Sequence, residues 1–289
     1  MNRYLALQKI IELGNFTKAS SSLGYTQSSV SQMIASLEKE LSLKLLNRSR
    51  AGIKLTIEGE ELYPYIEKAI QQYRAIQEKA DEIRGLETGI IRVGTISSVT
   101  CHWMPQLIRG FQKDYPNVQF LFHQGDYRLI PEWIRNGTVD FGFVTPPAAN
   151  GLEIIPIKRG EMMAVLPMDH TLSAKTKVSL ADLTKDPFIL LEEGSYNEPA
   201  AAFQAAGLTP NVRYTIHDDW SIMTMVEAGL GISILAELML RRTNFNILCL
   251  PIDPPIYREL AIGYKDRYSL PIASKYFIDH LLANADLLP

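Results

Sequence analysis

Residues 26–41 read Thr-Gln-Ser-Ser-Val-Ser-Gln-Met-Ile-Ala-Ser-Leu-Glu-Lys-Glu-Leu, and this stretch decides the fold of the first part of the chain. Val30, Ile34, Leu37 and Leu41 recur at spacings of four, three and four, which places them on one face of a 3.6-period helix. That face packs inward. Gln27, Ser28, Ser31 and Gln32 lie on the other side of the first two turns. Their short or amide side chains donate and accept hydrogen bonds without forcing one charge on a partner, as a surface that reads another molecule requires.

Upstream, Leu7, Ile10 and Ile11 form a short apolar face that ends at Gly14, and Phe16, Ala19 and Leu23 form a second that ends at Gly24. Glycine is a good helix stop, and Thr26 offers an N-cap for the third helix. Three short helices joined by tight turns, the last polar outside, make a helix-turn-helix. Downstream, Gly52 can turn a hairpin between two short extended pieces carrying Arg48, Arg50 and Lys54. That is a basic wing, suited to phosphate or minor-groove contact while the helix reads base edges. The blander alternative is a three-helix protein-interaction module with a solvated basic loop.

Charge supports the first reading. The whole chain of 289 residues has a net charge of −3. Residues 1–57 nevertheless hold eight Lys or Arg against three acids, a balance of +5, leaving 21 against 29 for the remainder, or −8. A small basic head on an acidic body implies a polyanion partner for the head alone. A hydrophobic content of 46% and a charged content of 21% are globular values. The length suits two or three compact units.

After the head, Leu62, Ile66, Ala69, Tyr73, Ile76, Ala80 and Ile83 alternate spacings of four and three. Three such heptads predict a coiled coil and a dimer seam, with Gly85 and Gly89 bracketing a hinge. The alternative is a helix lying on its own domain, and Pro64 falls within its first turns.

The body alternates strands and helices: strands at 90–94, 118–122 and 141–144, helices at 103–115 and 129–136, then strands at 163–166, 188–191, 212–216 and 232–235 with helices at 199–206 and 222–228. This predicts a parallel α/β sheet in two similar lobes with a cleft between them. Residues 260–264 and a helix at 272–283 could return to the first lobe.

These motifs make residues 1–62 resemble the winged helix-turn-helix of LysR-type transcriptional regulators. The matching residues are Gly14 to Thr17, Ala19, Leu23, Thr26 to Ser31, Ile34, Leu37, Glu38, Leu41, Leu45, Arg48, Leu55, Thr56 and Gly59. The body is similar to the effector-binding domain of the same regulators, itself like periplasmic binding proteins. The carrying motifs are Ile91-Arg92-Val93-Gly94, Pro105, Asn136-Gly137 with Val139 to Val144, and Val226 to Ile232. The sequence departs from the family at Gln32, often arginine, Ser42, often glycine, Leu46, often phenylalanine, and Ala236, where proline is common. The departures at Ser42 and Leu46 are expected to touch packing only.

The resemblance implies an α/β protein with an all-α winged head at 1–57, a coiled-coil linker helix and hinge at 58–88, and a two-lobed effector domain at 89–289. Lobe I is expected at 89–161 and 266–289, and lobe II at 162–265. It implies DNA contact by Thr26, Gln27, Ser28, Ser31, Gln32, Arg48, Arg50 and Lys54. The implied partners are a double-stranded operator, a second copy of the chain through the linker helix with a tetramer beyond it, RNA polymerase, and a small-molecule effector.

For the effector, the run from Thr95 to Thr100 follows the first strand and leads into a helix, where free N–H groups and hydroxyls favour an anion. Ser97 and Ser98 are the first choices and Thr145 and Ser195 the second, while Asp219 and Trp220 are weaker. Ser98 serves equally as a plain N-cap. Cys101 lies beside this site, but a lone thiol is more often inert. Cys101 and Cys249 show neither metal spacing nor a disulfide framework, and the five histidines are scattered. No metal and no cofactor are expected. An enzyme or solute-binding protein with the head used for protein contact is the rival function, yet the chain has no Gly-x-Ser-x-Gly elbow, phosphate-binding glycine loop or His-Glu-x-x-His. No catalytic residues are expected. The start lacks the apolar core of a signal peptide and no apolar run is long enough to span a membrane, so a cytoplasmic location is expected.

Overall fold

A computed structural model describes residues 1–49, 52–83, 88–241 and 243–289. Contacts divide it into two units, with the break after Ile83.

In the first unit the helices begin and end where capping chemistry dictates. Helix α1 (Asn2–Leu13) stops at Gly14 in the left-handed conformation. Helix α2 (Phe16–Leu23) starts where the Asn15 side chain accepts from the Thr17 and Lys18 amides at 2.8 and 3.1 Å. Helix α3 (Gln27–Leu41) starts where Thr26 Oγ1 accepts from the Ser29 amide at 3.2 Å. It ends at Ser42, whose φ of 53° is the one positive value at a non-glycine among the described residues. Glycine at this position would be free of Cβ strain, so the departure at Ser42 is a matter of backbone conformation rather than packing.

The core of this unit joins Leu7, Ile10, Phe16, Ala19, Val30, Ile34 and Leu37. Strands β1 (Leu46–Ser49) and β2 (Gly52–Leu55) pair antiparallel to form the wing. Glu38 fastens it to α3. Its carboxylate accepts from the Leu45 and Leu46 amides at 2.9 and 3.3 Å and from Lys44 Nζ at 2.7 Å. Burial opposes the charge, but Lys44 and the two amides together hold the carboxyl below the usual carboxylate range. Thr56 closes the other end, donating to the Lys44 carbonyl and accepting from the Gly59 amide. Gly59 lies so close to the Leu45 carbonyl that no side chain fits.

Helix α4 (Ile57–Ile83) runs through Pro64. Ile66 and Ile70 are buried in the head's own core, with Leu62 and Tyr63 packed beside them. The expected seam is therefore corrected in its first part: Leu62 and Ile66 pack on their own subunit, because α1 offers Leu7 and Ile10 to cover them. Further along, Ile76 is 64% exposed. The Ile83 side chain and Gly85 lie outside the described residues.

The second unit is built on a mixed sheet rather than a purely parallel one. Strands β3 (Gly89–Thr95), β4 (Val118–Gln124) and β5 (Phe141–Val144) are parallel, whereas β6 (Glu153–Pro167), β9 (Ser233–Ala236) and β10 (Ile247–Tyr264) join antiparallel in the order β4-β3-β5-β10-β6-β9. A separate parallel pair, β7 (Pro187–Leu191) and β8 (Asn211–Ile216), is bridged to Ile232 at Phe188. Helices α5 (Ser97–His102), α6 (Met104–Phe111), α7 (Leu129–Asn136) and α12 (Ile272–Ala283) belong to lobe I, and α8 (Leu180–Leu183), α9 (Glu198–Ala205), α10 (Asp219–Glu227) and α11 (Glu237–Leu240) follow β6.

One core gathers Val93, Trp103, Phe111, Phe141, Phe143 and Phe277. The second lobe has cores around Leu166, Phe188 and Phe203, and around Ile189, Met223 and Leu235. The long strands β6 and β10 pass from one lobe to the other. Leu250, Ile252 and Ile256 pack in lobe II, and Leu260, Ala261, Ile262 and Tyr264 in lobe I. The expected lobe boundary at 265/266 is corrected accordingly, since the crossing falls within β10, between Ile256 and Leu260.

Candidate functional site

The polar face of α3 is open. Thr26, Gln27, Ser28 and Gln32 are exposed, Ser31 is half-buried, and Val30 and Ile34 on the opposite face are buried. Thr26 also caps the helix and so sets its start, with its hydroxyl 3.0 Å from Ser28 Oγ. On the wing, Lys54 is exposed on β2 opposite Asn47. Arg48 pairs with Ile53 through its backbone. The Arg48 side chain and the whole of Arg50 lie outside the described residues.

The second candidate site lies between the two lobes. Ser98, 3% exposed on α5, accepts from Arg258 Nη2 at 3.0 Å. Arg258 sits midway along β10, only 6% exposed. Ser97 Oγ accepts from Gln124 Nε2 at 2.7 Å, and Thr100 donates to the Ile96 carbonyl. Helix α5 has six residues. At the expected anion site the Ser98 oxygen thus accepts from a buried guanidinium, and the Thr100 hydroxyl donates to the backbone. Thr145 is buried at the end of β5, and no described hydrogen bond joins it to Ser98. Ser195 donates to the Tyr127 carbonyl at 3.0 Å, and the Tyr127 amide donates to the Glu193 carbonyl at 2.9 Å. Ser195 is thus a clasp between the lobes. Gly194, with φ +86°, lets this loop approach Asp126 and Arg128 at a distance where a Cβ would clash.

Around Arg258 the chain gathers Asp219, a weaker choice from the sequence, with three groups that the sequence did not single out. Tyr127 precedes α7, Glu193 follows β7, Glu198 opens α9 and Asp219 opens α10. The Tyr127 hydroxyl, Glu193 Oε2 and both Glu198 carboxylate oxygens are buried without a hydrogen bond of ordinary geometry. Burial pushes the Glu193 carboxyl well above its usual range, reinforced by Glu198 and opposed by Arg258. Burial likewise raises Glu198 and Asp219, and in both Arg258 works the other way. The Arg258 guanidinium is held firmly charged: burial works against it, but Tyr127, Glu193, Glu198 and Asp219 outweigh that. A signal for Arg258 existed. Ile256, Arg258 and Leu260 alternate along one strand, and period two puts all three on the buried face.

No group of three His, Cys, Asp or Glu among the described residues can hold a metal ion. Cys101 is exposed on α5. No helix among the described residues is long and apolar enough to cross a membrane.

An exposed polar recognition helix with a wing, followed by a two-lobed α/β domain with a polar seam, is the architecture of a one-component transcriptional regulator. The chain belongs to the LysR family: the LysR substrate binding domain matches residues 84–286, and the bacterial regulatory helix-turn-helix of the lysR family matches residues 1–60. Among curated relatives, the transcriptional regulator YvbU of Bacillus subtilis (strain 168) is 31% identical over 275 residues, 94% of each chain. The transcriptional dual regulator GltC of the same organism is 30% identical over 258 residues, 86% of each chain. Full-length CbnR complexed with its target DNA shares the fold with a TM-score of 0.68, 18% identity and coverage of 98% of this chain and 99% of that one. Like other LysR-type regulators, this chain carries a DNA-binding head and an effector-binding domain.

Proposed function

We propose that the protein binds its operator as a dimer joined through α4, with tetramers formed from such dimers, and that a small molecule held between the two lobes adjusts its grip on DNA. The observation that carries the DNA half is the exposed Gln27, Ser28 and Gln32 face of α3 over buried Val30 and Ile34. Amide and hydroxyl side chains there suit base edges in the major groove, and the wing residues Lys54, Arg48 and Arg50 suit phosphate. CbnR, whose fold is shared, is complexed with DNA.

For the effector half, the support is the Arg258–Ser98 pair at the lobe seam, where an anionic end of a metabolite is received by a buried guanidinium. A ligand bridging the lobes favours one closure, and it alters DNA affinity only as far as it binds the two closures unequally. RNA polymerase is a further partner, the site of action is the cytoplasm, and neither cofactor nor catalytic residue takes part. An electrophoretic mobility shift with DNA from upstream of the protein's own coding region tests the reading. A discrete shift that survives competitor DNA supports it, and binding no tighter than to random DNA removes it.

A further inference from the structure

The acids at the lobe seam outnumber the cations. Glu193, Glu198 and Asp219 face one guanidinium, Arg258, so full ionisation would bury a surplus of two negative charges. Buried charges are normally paired, and buried polar atoms normally hydrogen-bonded. Here Glu198 is 4% exposed with both carboxylate oxygens unpartnered, and Tyr127 is 1% exposed with its hydroxyl unpartnered. Glu198 opens a helix, a place where a carboxylate ordinarily lies in water against the helix dipole. Its burial is not a capping requirement, because the Asn197 side chain already caps α9. A bound cationic donor would supply both the hydrogen bonds these acceptors lack and the positive charge that their full ionisation calls for.

The two ends of the cluster differ in character. Arg258 and Ser98 carry N–H and O–H donors suited to an anion, while Glu193, Glu198 and Asp219 carry acceptors suited to a cation. Tyr127 belongs to lobe I and the three acids to lobe II, and Arg258 stands on the strand that passes between them. We infer that the effector is a small zwitterion of the α-amino acid type, its carboxylate received by Arg258 and Ser98 and its ammonium by Glu198, Glu193 and Asp219. The inference rests on the interlobe effector reading above and refines its ligand from an anion to a molecule bearing both charges. The ammonium supplies three donors and one positive charge, which meets the orphaned acceptors and lowers the surplus of negative charge. A plain dicarboxylate would add to that surplus.

The test uses the full chain and the twenty proteinogenic L-α-amino acids as probes in thermal-shift titration. Calorimetry follows on any that bind, each compared with its 2-oxo acid and its decarboxylated amine. The expected result is that at least one amino acid raises the melting midpoint and that both analogues bind at least about 100-fold more weakly, because a site built for a polar group rejects a ligand lacking it. Glu198→Gln and Asp219→Asn each weaken that amino acid by about 10-fold or more, since each removes one partner of a buried charge pair. The ligand-free melting of each variant reports whether it folds. A 2-oxo acid that binds as tightly as its amino acid overturns the inference. So does full affinity in both acid variants, or the absence of any amino-acid shift. If such a 2-oxo acid loses affinity on Ser98→Ala, the interlobe site stands and only the ammonium subsite falls. If binding of every probe ignores Ser98→Ala and Arg258→Gln alike, the interlobe reading falls with it.

Discussion

Arg258 donates to Ser98 across 160 residues of chain, at 3.0 Å, and so ties the strand that crosses between the lobes to the first helix of lobe I. The same guanidinium is the counter-charge for Glu193, Glu198 and Asp219 from lobe II. One side chain thus serves both lobes.

Replacing Arg258 with Ala leaves those buried acids without their cation, a loss of about 3–5 kcal/mol in the stability of the effector unit. The pH profile carries a sign. Glu193 and Glu198 have raised values in the fold, so they bind protons there that the unfolded chain has already lost. Their contribution is fully present below the ordinary carboxylate range and is lost as pH rises through the raised values. Melting curves of the ligand-free wild type should fall in midpoint as pH rises above the ordinary carboxylate range, and Arg258→Ala should fall more steeply. A flat profile in both proteins contradicts the charge arrangement.

Glu38 predicts the opposite slope for the head. Its carboxyl lies below the usual range despite burial, because Lys44 and the Leu45 and Leu46 amides hold it. That stability is present above the ordinary carboxylate value and is lost as pH falls through the lowered one. Glu38→Ala strands the buried amide donors of Leu45 and Leu46 and costs the head about 1–3 kcal/mol in denaturant melts. It should also loosen the wing, read as faster amide exchange at those two residues.

Ser42→Gly should stabilise the head by about 0.5–1 kcal/mol, because glycine takes the left-handed φ without a Cβ penalty that exceeds its cost in unfolded-chain entropy. Chemical denaturation of the pair checks this. A less stable glycine variant would mean that the Ser42 hydroxyl outweighs the strain.

Two isoleucines on α4 separate packing from assembly. Ile66→Ala should cost the head about 2–5 kcal/mol, since the side chain is buried in its own subunit. Ile76→Glu should leave the head's stability nearly unchanged and yield more monomer in sedimentation, with weaker DNA binding. Wild-type oligomer and intact binding in Ile76→Glu would place the dimer contact elsewhere.

The sequence made the head legible because its helices carry both signals at once, apolar period and capping residue, as at Asn15 and Thr26. Helix α4 misled for a physical reason. The 4-3 spacing of Leu62 and Ile66 is the same whether the face meets a second copy or the helices beside it. Strands β6 and β10 extend beyond the expected 163–166 and 260–264, running through Lys158-Arg159-Gly160-Glu161 and Asp253-Pro254-Pro255, which carry no apolar alternation to mark a strand. Of the seam residues only Asp219 was singled out, as a weaker choice, and the rest escaped for a related reason. Glu193, Glu198, Asp219 and Arg258 come from four separate elements, and spacing along the chain carries no trace of their meeting. Only the alternation of Ile256, Arg258 and Leu260 marked an arginine for burial.

The central claim is that the Gln27 face of α3 reads sequence, and fluorescence anisotropy at a series of salt concentrations tests it most directly. The titration sets wild type and Gln27→Ala against DNA from upstream of the protein's own coding region and against a scrambled duplex of equal length. The account predicts that Gln27→Ala loses about 1–3 kcal/mol on the upstream DNA and almost nothing on the scrambled duplex, with the salt slope unchanged. Equal loss on both duplexes, or no loss on either, would contradict it.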